Sequence, residues 1–194
     1  NDYSRYLFFY LENIIKKKDF ENAKAISSNI DSLSSTLLIA QVKIWVDQNK
    51  FDQLNKYFSC DNENDILAEF FFLIANLFSS QENFKQSNFY LGISNYLNPK
   101  FNFNLTLYVE NYYDNNNYDL AKKYFDNLNK KNEIYNWYRI KKIAQILIKE
   151  NKKELSLKHI QKKFKEIKNP SIRIQYDIAN IYKNFKEYEK AIEY

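Results

Sequence analysis

Side chains suited to catalysis are few in this sequence. His159 is the only histidine and Cys60 the only cysteine. His159 lies in a lysine-rich helical pattern and has no acidic or cysteine companion at the spacing of metal ligands, so we expect an exposed surface side chain. Cys60 has no second thiol for a disulfide or a metal site, so we expect a small buried thiol or a loop thiol.

Motifs for binding phosphate or activating water are also missing. Gly92 is the only glycine and stands inside a helical pattern, whereas a phosphate-binding loop needs several glycines. Carboxylate pairs such as Glu187/Glu189 and Glu63/Asp65 fall in predicted turns and helix starts, where a solvated polar face is the expected role. We therefore predict no enzyme activity, no cofactor and no metal site.

The composition points to helices as the elements that position the remaining side chains. The chain has 194 residues, of which 45% are hydrophobic, enough for a substantial core. One glycine and two prolines argue against sandwich and barrel folds, whose tight turns use residues that tolerate positive φ. The longest strongly apolar run, Phe70 to Ala75, is too short to cross a bilayer.

A helical repeat of about 34 residues runs along the chain. In most copies an aromatic residue precedes a small or apolar residue by three places, and a bulky residue follows four places later. These small positions are spaced by 31, 33, 34, 35 and 35 residues and are Ala23, Leu54, Ser87, Ala121, Ser156 and Ala191. Upstream lies a second apolar pattern with helical spacing, such as Phe71, Ile74, Ala75 and Phe78. Each repeat therefore reads as helix A, a polar turn and helix B.

This pattern resembles the tetratricopeptide repeat, whose hallmark is W-x2-L-G-x2-Y, then A-x3-F, then P. The third repeat fits best, with Phe71, Ile74, Ala75, Phe78, Ser87, Leu91 and Pro99 in the family positions. The hallmark Trp is absent, and Leu11 and Val42 stand where a small residue is usual. The stretch from Ala68 to Tyr194 is also similar in spacing to long tetratricopeptide proteins of alphaproteobacteria.

The resemblance implies an all-α fold, a right-handed superhelical solenoid of antiparallel helix hairpins in one array. We place the repeats at about 4–34, 35–67, 68–101, 102–136, 137–171 and 172–194, the last one cut within helix B. A helix bundle or coiled coil is the rival fold, but heptads do not produce polar turns at these intervals. Predicted N-caps of the A helices are Ser35, Asp65, Asn102, Asn136 and Ser171.

The concave surface of such a solenoid is its usual binding site. Each A helix has its own small or apolar position, which is Ala75, Val109, Ala144 or Ala179 in the third to sixth repeats. The stripe opposite helix B faces this groove, at positions six, three and two residues before that position and one, four and five after it. The predicted partner-binding residues are Phe72, Asn76, Tyr113, Tyr138, Lys141, Lys142, Gln145, Lys149, Arg173, Tyr176, Asn180 and Lys183. We expect Lys141, Lys142 and Lys149 to supply the main cationic contacts.

Charge is distributed unevenly along the chain. Residues 1–118 hold 10 Lys+Arg and 14 Asp+Glu, whereas residues 119–194 hold 19 and 10. A groove with an apolar, mildly acidic middle and a cationic end would bind a peptide that has an acidic segment and an apolar anchor. Simple solvation of the lysine-rich helix B faces is the other interpretation. Tetratricopeptide domains that bind a C-terminal carboxylate carry paired Lys/Asn and Lys/Arg positions on successive A helices. Such a clamp is not expected here, because the position paired with Lys141 is Gln145 and the next repeat offers Asp177.

The sequence therefore predicts a non-catalytic scaffold or adaptor that binds a protein or peptide segment in its groove. A nucleic-acid-binding helical repeat is one alternative, since the pI is about 9.0 and basic side chains lie beside Tyr138 and Tyr176. A structural spacer in a larger cell-envelope or multidomain protein is another. The start at Asn1 and the end inside a helical pattern suggest a fragment. We expect a soluble domain whose localisation, cytoplasmic or periplasmic, stays open.

Overall fold

The chain is built from α-helices. The computed structural model describes residues 3–101, 103–125, 127–128 and 132–194, and these contain no strand. The twelve helices of the described part are α1 (Ser4–Lys16), α2 (Phe20–Ser28), α3 (Leu37–Asp47), α4 (Asp52–Tyr57), α5 (Glu63–Ser80), α6 (Phe84–Leu97), α7 (Phe103–Asp114), α8 (Tyr118–Phe125), α9 (Glu133–Lys149), α10 (Lys153–Lys165), α11 (Ile172–Asn184) and α12 (Tyr188–Ile192). The all-α class is confirmed.

Successive helices pack as six pairs, from α1 with α2 to α11 with α12, which we number as hairpins 1 to 6. The predicted succession of helix A, turn and helix B is therefore confirmed. The chain divides into two compact units, an N-terminal unit of residues 1–30 and 35–130 and a C-terminal unit of residues 31–34 and 131–194. The single superhelical array stays a prediction.

The turn inside every hairpin has the same backbone geometry. One residue in each turn adopts a positive φ of 55–63°, two places before the first residue of helix B in five hairpins and three places before it in hairpin 2. These residues are Lys18, Asn49, Glu82, Asn116, Asn151 and Lys186. In hairpin 1 the N–H of Asp19 donates to the carbonyl of Ile14 and that of Lys18 to Ile15. The other five turns repeat this Schellman pattern, which satisfies the last free carbonyls of helix A. The six copies keep the spacing of the sequence repeat without any glycine.

The small positions of the B helices lie where the hairpins close. Ala23, Leu54, Ser87, Ala121 and Ser156 are fully buried at 0% exposure, and Ala191 is half-buried. At Ala23, Ser87, Ala121 and Ser156 a bulkier side chain would push helix B away from helix A, since interiors are close-packed, whereas hairpin 2 accommodates Leu54. The two serines also form hydrogen bonds. The Ser156 hydroxyl donates to the carbonyl of Ala144 on helix A of the same hairpin at 2.9 Å, and the Ser87 hydroxyl accepts from the Asn111 amide of the next hairpin at 2.7 Å.

Two of the long A helices begin earlier than predicted. Ser171 occupies the N-cap position of α11, as expected, and Thr36 rather than Ser35 occupies that of α3, but neither side chain makes a capping hydrogen bond. In α5 and α9 the caps are Asn62 and Asn132, three and four residues before the predicted Asp65 and Asn136. Each asparagine side chain accepts a backbone N–H of the first turn, which adds nearly one turn to the helix. The predicted cap Asn102 lies outside the described residues.

Helix α1 links distant parts of the N-terminal unit. Phe8 lies in one core with Phe58 and Phe101, at ring-centroid distances of 6.4 and 5.4 Å. Arg5 on the same helix bonds to Glu69 on α5 and Asn104 on α7. A stack in which hairpins touch only their neighbours would not bring hairpin 1 to hairpins 3 and 4.

Buried amides on α7 join hairpins 3 and 4. The Asn104 amide donates to the Ser94 hydroxyl at 2.9 Å, and Ser94 donates to the carbonyl of Ala68 at 2.7 Å. Two helical turns further along α7, the Asn111 side-chain amide donates to the Ser87 hydroxyl at 2.7 Å, and its oxygen accepts from the Ser79 hydroxyl at 2.6 Å. Satisfied buried polar groups of this kind favour one arrangement of neighbouring helices over others.

The C-terminal unit has a core of its own, formed by α9, α10 and α11. Its buried members are Trp137, Ile140, Ala144, Ile160, Ile174, Ile178 and Tyr182. Their spacing on α9 and α11 is that of one helical face, as the sequence pattern predicted. Throughout the described part of the chain, no helix has the length and apolar character needed to cross a membrane.

Candidate functional site

The A helices of the N-terminal unit enclose a cavity of about 500 Å³. Its walls come from α1, α5 and α7, with apolar side chains that include Phe9, Phe72, Leu73, Phe103 and Leu107. Polar residues on the same three helices complete the lining, namely Arg5, Glu69, Asn76, Thr106 and Glu110. The volume falls within the range of about 300–1,000 Å³ found for ligand pockets, which are mostly apolar with a few polar groups that orient the ligand.

Arg5 and Glu69 form the base of this cavity. The guanidinium donates to both carboxylate oxygens of Glu69, with an Nε–Oε1 distance of 2.6 Å, and also to the Asn104 side-chain oxygen at 3.4 Å. It lies 3.8 Å from the centroid of the Phe72 ring, a cation–π contact. Only 7% of Arg5 is exposed, and its Nη1 is buried without an acceptor. This forked pair holds α1 against α5 and α7.

Most of the predicted groove positions of α5 and α7 line this cavity. Four of the six positions on each helix do so: Glu69, Phe72, Leu73 and Asn76 on α5, and Phe103, Thr106, Leu107 and Glu110 on α7. Two residues selected as partner-binding, Phe72 and Asn76, are among them. Phe72 is a buried wall whereas Asn76 is exposed at the rim, and Tyr113 stands apart, half-buried with its ring 5.9 Å from that of Tyr118.

A smaller cavity of about 260 Å³ lies in the C-terminal unit. Lys141 and Gln145, both selected from the sequence, line it together with apolar side chains such as Ile148, Ile160 and Phe185. The Lys141 ammonium is 2.7 Å from an Asp177 carboxylate oxygen, which also accepts from the indole N–H of Trp137 at 2.8 Å. Because Asp177 neutralises Lys141, this cavity is less cationic than the sequence indicated.

Burial changes the interpretation of two other selected residues. Lys142 is only 9% exposed, with its ammonium 5.9 Å from the centroid of the Tyr138 ring, which is itself buried. The expectation that Lys142 and Tyr138 present free groove surface is therefore corrected. The two side chains lie one helical turn apart on α9, and both are buried.

The remaining selected residues lie at the surface of α9 and α11. Lys149 and Lys183 are exposed, each in the last turn of its helix, and Tyr176 is 53% exposed. The hydrogen bonds from Ser34 and from the Leu33 backbone lower the pKa of Asp31, and the half-buried Arg173 adds a smaller effect in the same direction. Asn180 is half-buried and donates to the backbone carbonyl of Tyr176 at 3.0 Å.

Charge reversal should separate Lys149 from Lys142. Lys149→Glu should change the free energy of unfolding by no more than about 1 kcal/mol, since it alters only a solvated side chain at a helix C-terminus. Lys142→Glu should cost about 2–5 kcal/mol because it buries a carboxylate where an ammonium lies over an aromatic ring. Denaturant titration followed by Trp137 fluorescence in a Trp45→Phe background measures both, and equal losses would contradict the burial of Lys142.

The expectation that His159 is an exposed surface side chain is wrong. The ring is half-buried in α10, and its Nε2 is buried without a hydrogen-bond partner. Burial lowers the pKa of His159, and the positive charges of Lys163 and Arg139 lower it further. The imidazole is therefore mostly neutral at pH 7, and it packs against helix α9 through the backbone of Ile140.

Cys60 is an exposed loop thiol, in the turn between α4 and α5. Its neighbour Glu12 on α1 is almost wholly buried, and neither Glu12 carboxylate oxygen meets a donor at hydrogen-bonding geometry. Burial raises the pKa of Glu12, an effect only partly offset by the nearby thiol and by Lys16. Burial and the Glu12 carboxylate raise the pKa of Cys60, which keeps this thiol protonated rather than reactive.

The residues of α1 in the larger cavity were not selected from the sequence. The same offsets, applied around Leu11 in the first repeat, point to Arg5 and Phe9, so a usable signal exists. However, they also point to Phe8 and Glu12, which are buried. The offsets therefore identify groove residues only on A helices whose side facing away from helix B is not covered by another element.

The described residues include no group of three or more His, Cys, Asp or Glu side chains that could hold a metal ion. No protein-family model matches the sequence, and no curated protein or solved structure matches it either. Inferences about function therefore depend on the two cavities and the surfaces around them.

Proposed function

We propose that this chain is a non-catalytic protein-interaction module that binds a segment of a partner protein in the cavity between α1, α5 and α7. The observation that supports the proposal is the agreement between the groove positions predicted from the repeat and the location of the cavity. Eight positions expected from the repeat to face a groove line a cavity of about 500 Å³. The resemblance to tetratricopeptide repeats, which remains a prediction, agrees with such a role.

The lining residues indicate what the bound segment would present. Three phenylalanines and two leucines offer an apolar surface, so the segment would insert an aromatic or large aliphatic side chain. Arg5 already pairs with Glu69, and Glu110 adds a further carboxylate to the lining. A cationic residue beside the apolar anchor therefore suits this cavity better than the acidic segment expected for the C-terminal end.

Filling the cavity tests the proposal. Peptides selected from a displayed random library on the intact chain should lose at least about tenfold in affinity for Asn76→Trp, because the indole would occupy the space of the anchor. Asn76 is exposed at the cavity, so the larger side chain does not disturb the core. Fluorescence anisotropy of labelled peptides measures the affinity.

Asn55→Trp provides the matched control, since Asn55 is an exposed asparagine on α4 that does not line the cavity. Its affinities should equal those of the unmodified chain. A selection in which no peptide distinguishes Asn76→Trp from Asn55→Trp would reject the cavity as the binding site.

The nucleic-acid alternative has weaker support. Of the two tyrosines expected to stack on bases, Tyr138 is buried, and Lys141 is neutralised by Asp177. The lysines of α10 remain as a basic surface beside the half-exposed ring of Tyr194, which packs edge-on against Phe164 of α10 at 5.1 Å. The spacer role stays a prediction.

A further inference from the structure

Helix α5 exposes an apolar stripe on the side opposite its core face. Ile66, Phe70, Leu73 and Leu77 are each 48–58% exposed, and they are spaced by four, three and four residues. The buried residues Ala68, Phe72 and Ala75 occupy the other side of the same helix. A helix that is apolar on both sides is typical of one that is covered on both sides.

The spacing of the stripe defines the shape of what could cover it. Residues at alternating intervals of three and four form a straight seam along a helix, the arrangement that packs against a second helix by knobs into holes. From Ile66 to Leu77 the seam rises about 17 Å, which is three helical turns. An extended strand would contact such a seam less well, because its side chains alternate between two faces.

The charge on α5 indicates the chemistry of the partner. Within Glu63–Ser80 the ionisable residues are Glu63, Asp65 and Glu69, and the helix contains no lysine or arginine. Because Glu69 is paired with Arg5, the negative charge that a partner would meet comes from Glu63 and Asp65. Glu110 adds another carboxylate to the adjoining cavity, which shares Leu73 with the stripe. A second copy of α5 would bring acidic side chains toward acidic side chains, whereas a helix flanked by basic residues would complement them.

We infer that the outer stripe of α5 is a second interaction surface, which binds an amphipathic helix of a partner protein. The partner helix carries apolar residues at three- and four-residue intervals, with lysine or arginine beside them. This surface is additional to the cavity, since Ile66, Phe70 and Leu77 do not line it.

Two synthetic 18-residue helices test the inference on the intact chain. Both have leucine at the seam positions, and they differ only in carrying lysine or glutamate at the flanking positions. By fluorescence anisotropy at low ionic strength, the lysine peptide should bind at least tenfold more tightly, and added salt should reduce this difference. Phe70→Ser and Leu77→Ser should each weaken binding of the lysine peptide at least tenfold, whereas Tyr96→Ser on α6 should not.

Three results would overturn the inference: equal affinity for both peptides, affinity unaffected at Phe70 and Leu77, or a dimer in sedimentation analysis that Phe70→Ser abolishes. The last result would assign the stripe to a second copy of this chain. The Asn76→Trp variant separates this test from that of the cavity, because it should leave binding of the lysine helix unchanged.

Discussion

Replacing Arg5 with alanine should lower the free energy of unfolding of the N-terminal unit by about 3–5 kcal/mol. The guanidinium is 7% exposed and is the partner of the largely buried Glu69 carboxylate. Its removal leaves that carboxylate without a cation and Asn104 without one of its bonds, and it deletes the contact with the Phe72 ring. Denaturant titration in a Trp137→Phe background measures the change, because Trp45 then reports on the N-terminal unit alone.

Two further variants identify the source of the loss. Arg5→Lys should also be destabilised, because an ammonium cannot make the forked contact with both oxygens. Arg5→Met combined with Glu69→Leu should recover most of the stability, since apolar side chains often replace a buried ion pair at little cost. Lys56→Ala, which removes an exposed pair with Asp52 on α4, should cost less than about 1 kcal/mol. A loss at Arg5 no larger than that at Lys56 would show that the cluster does not hold α1 in place.

Replacing Glu12 with glutamine should instead stabilise the N-terminal unit by about 1–3 kcal/mol at pH 7. Glu12 is 1% exposed, so folding strips water from a charge that the nearby Cys60 thiol and Lys16 compensate only in part. Glutamine keeps the shape of the side chain and removes the charge.

The pH dependence of this difference has a definite sign. Because burial raises the pKa of Glu12 in the folded state, the protonated form favours folding. The destabilisation by Glu12 is absent below the unfolded pKa of about 4.3 and grows as the pH rises toward the folded pKa. The gap between Glu12→Gln and the unmodified chain should therefore shrink from pH 7 to pH 4.5, as measured by denaturant titration at both values.

Glu21→Gln is the control for this experiment. Glu21 lies on the neighbouring helix α2 with its side chain 93% exposed, so its replacement should alter stability by less than about 0.5 kcal/mol at either pH. Destabilisation of Glu12→Gln at pH 7, or a gap that does not vary with pH, would mean that the Glu12 carboxylate is better solvated or better paired than its burial indicates.

Several features of the fold followed from the sequence because they depend on local periodicity. The positions of the six turns, the pairing of helices and the buried small residues from Ala23 to Ser156 all agree with the repeat. The αL residues in the turns could not be identified in the same way. Lys18, Glu82 and Lys186 are not residue types that favour positive φ, so only the demands of the hairpin place them there.

The sequence by itself determined which residues belong to helix A, to helix B and to the turns, since a 3.6-residue apolar period and a polar turn are local properties. Only the tertiary structure decided which side of each A helix is covered. Arg5 meets Glu69 across 64 residues of sequence, and Lys142 is buried while Leu77 is exposed. Burial depends on where other elements pack, and that is a property of the whole unit rather than of any one repeat.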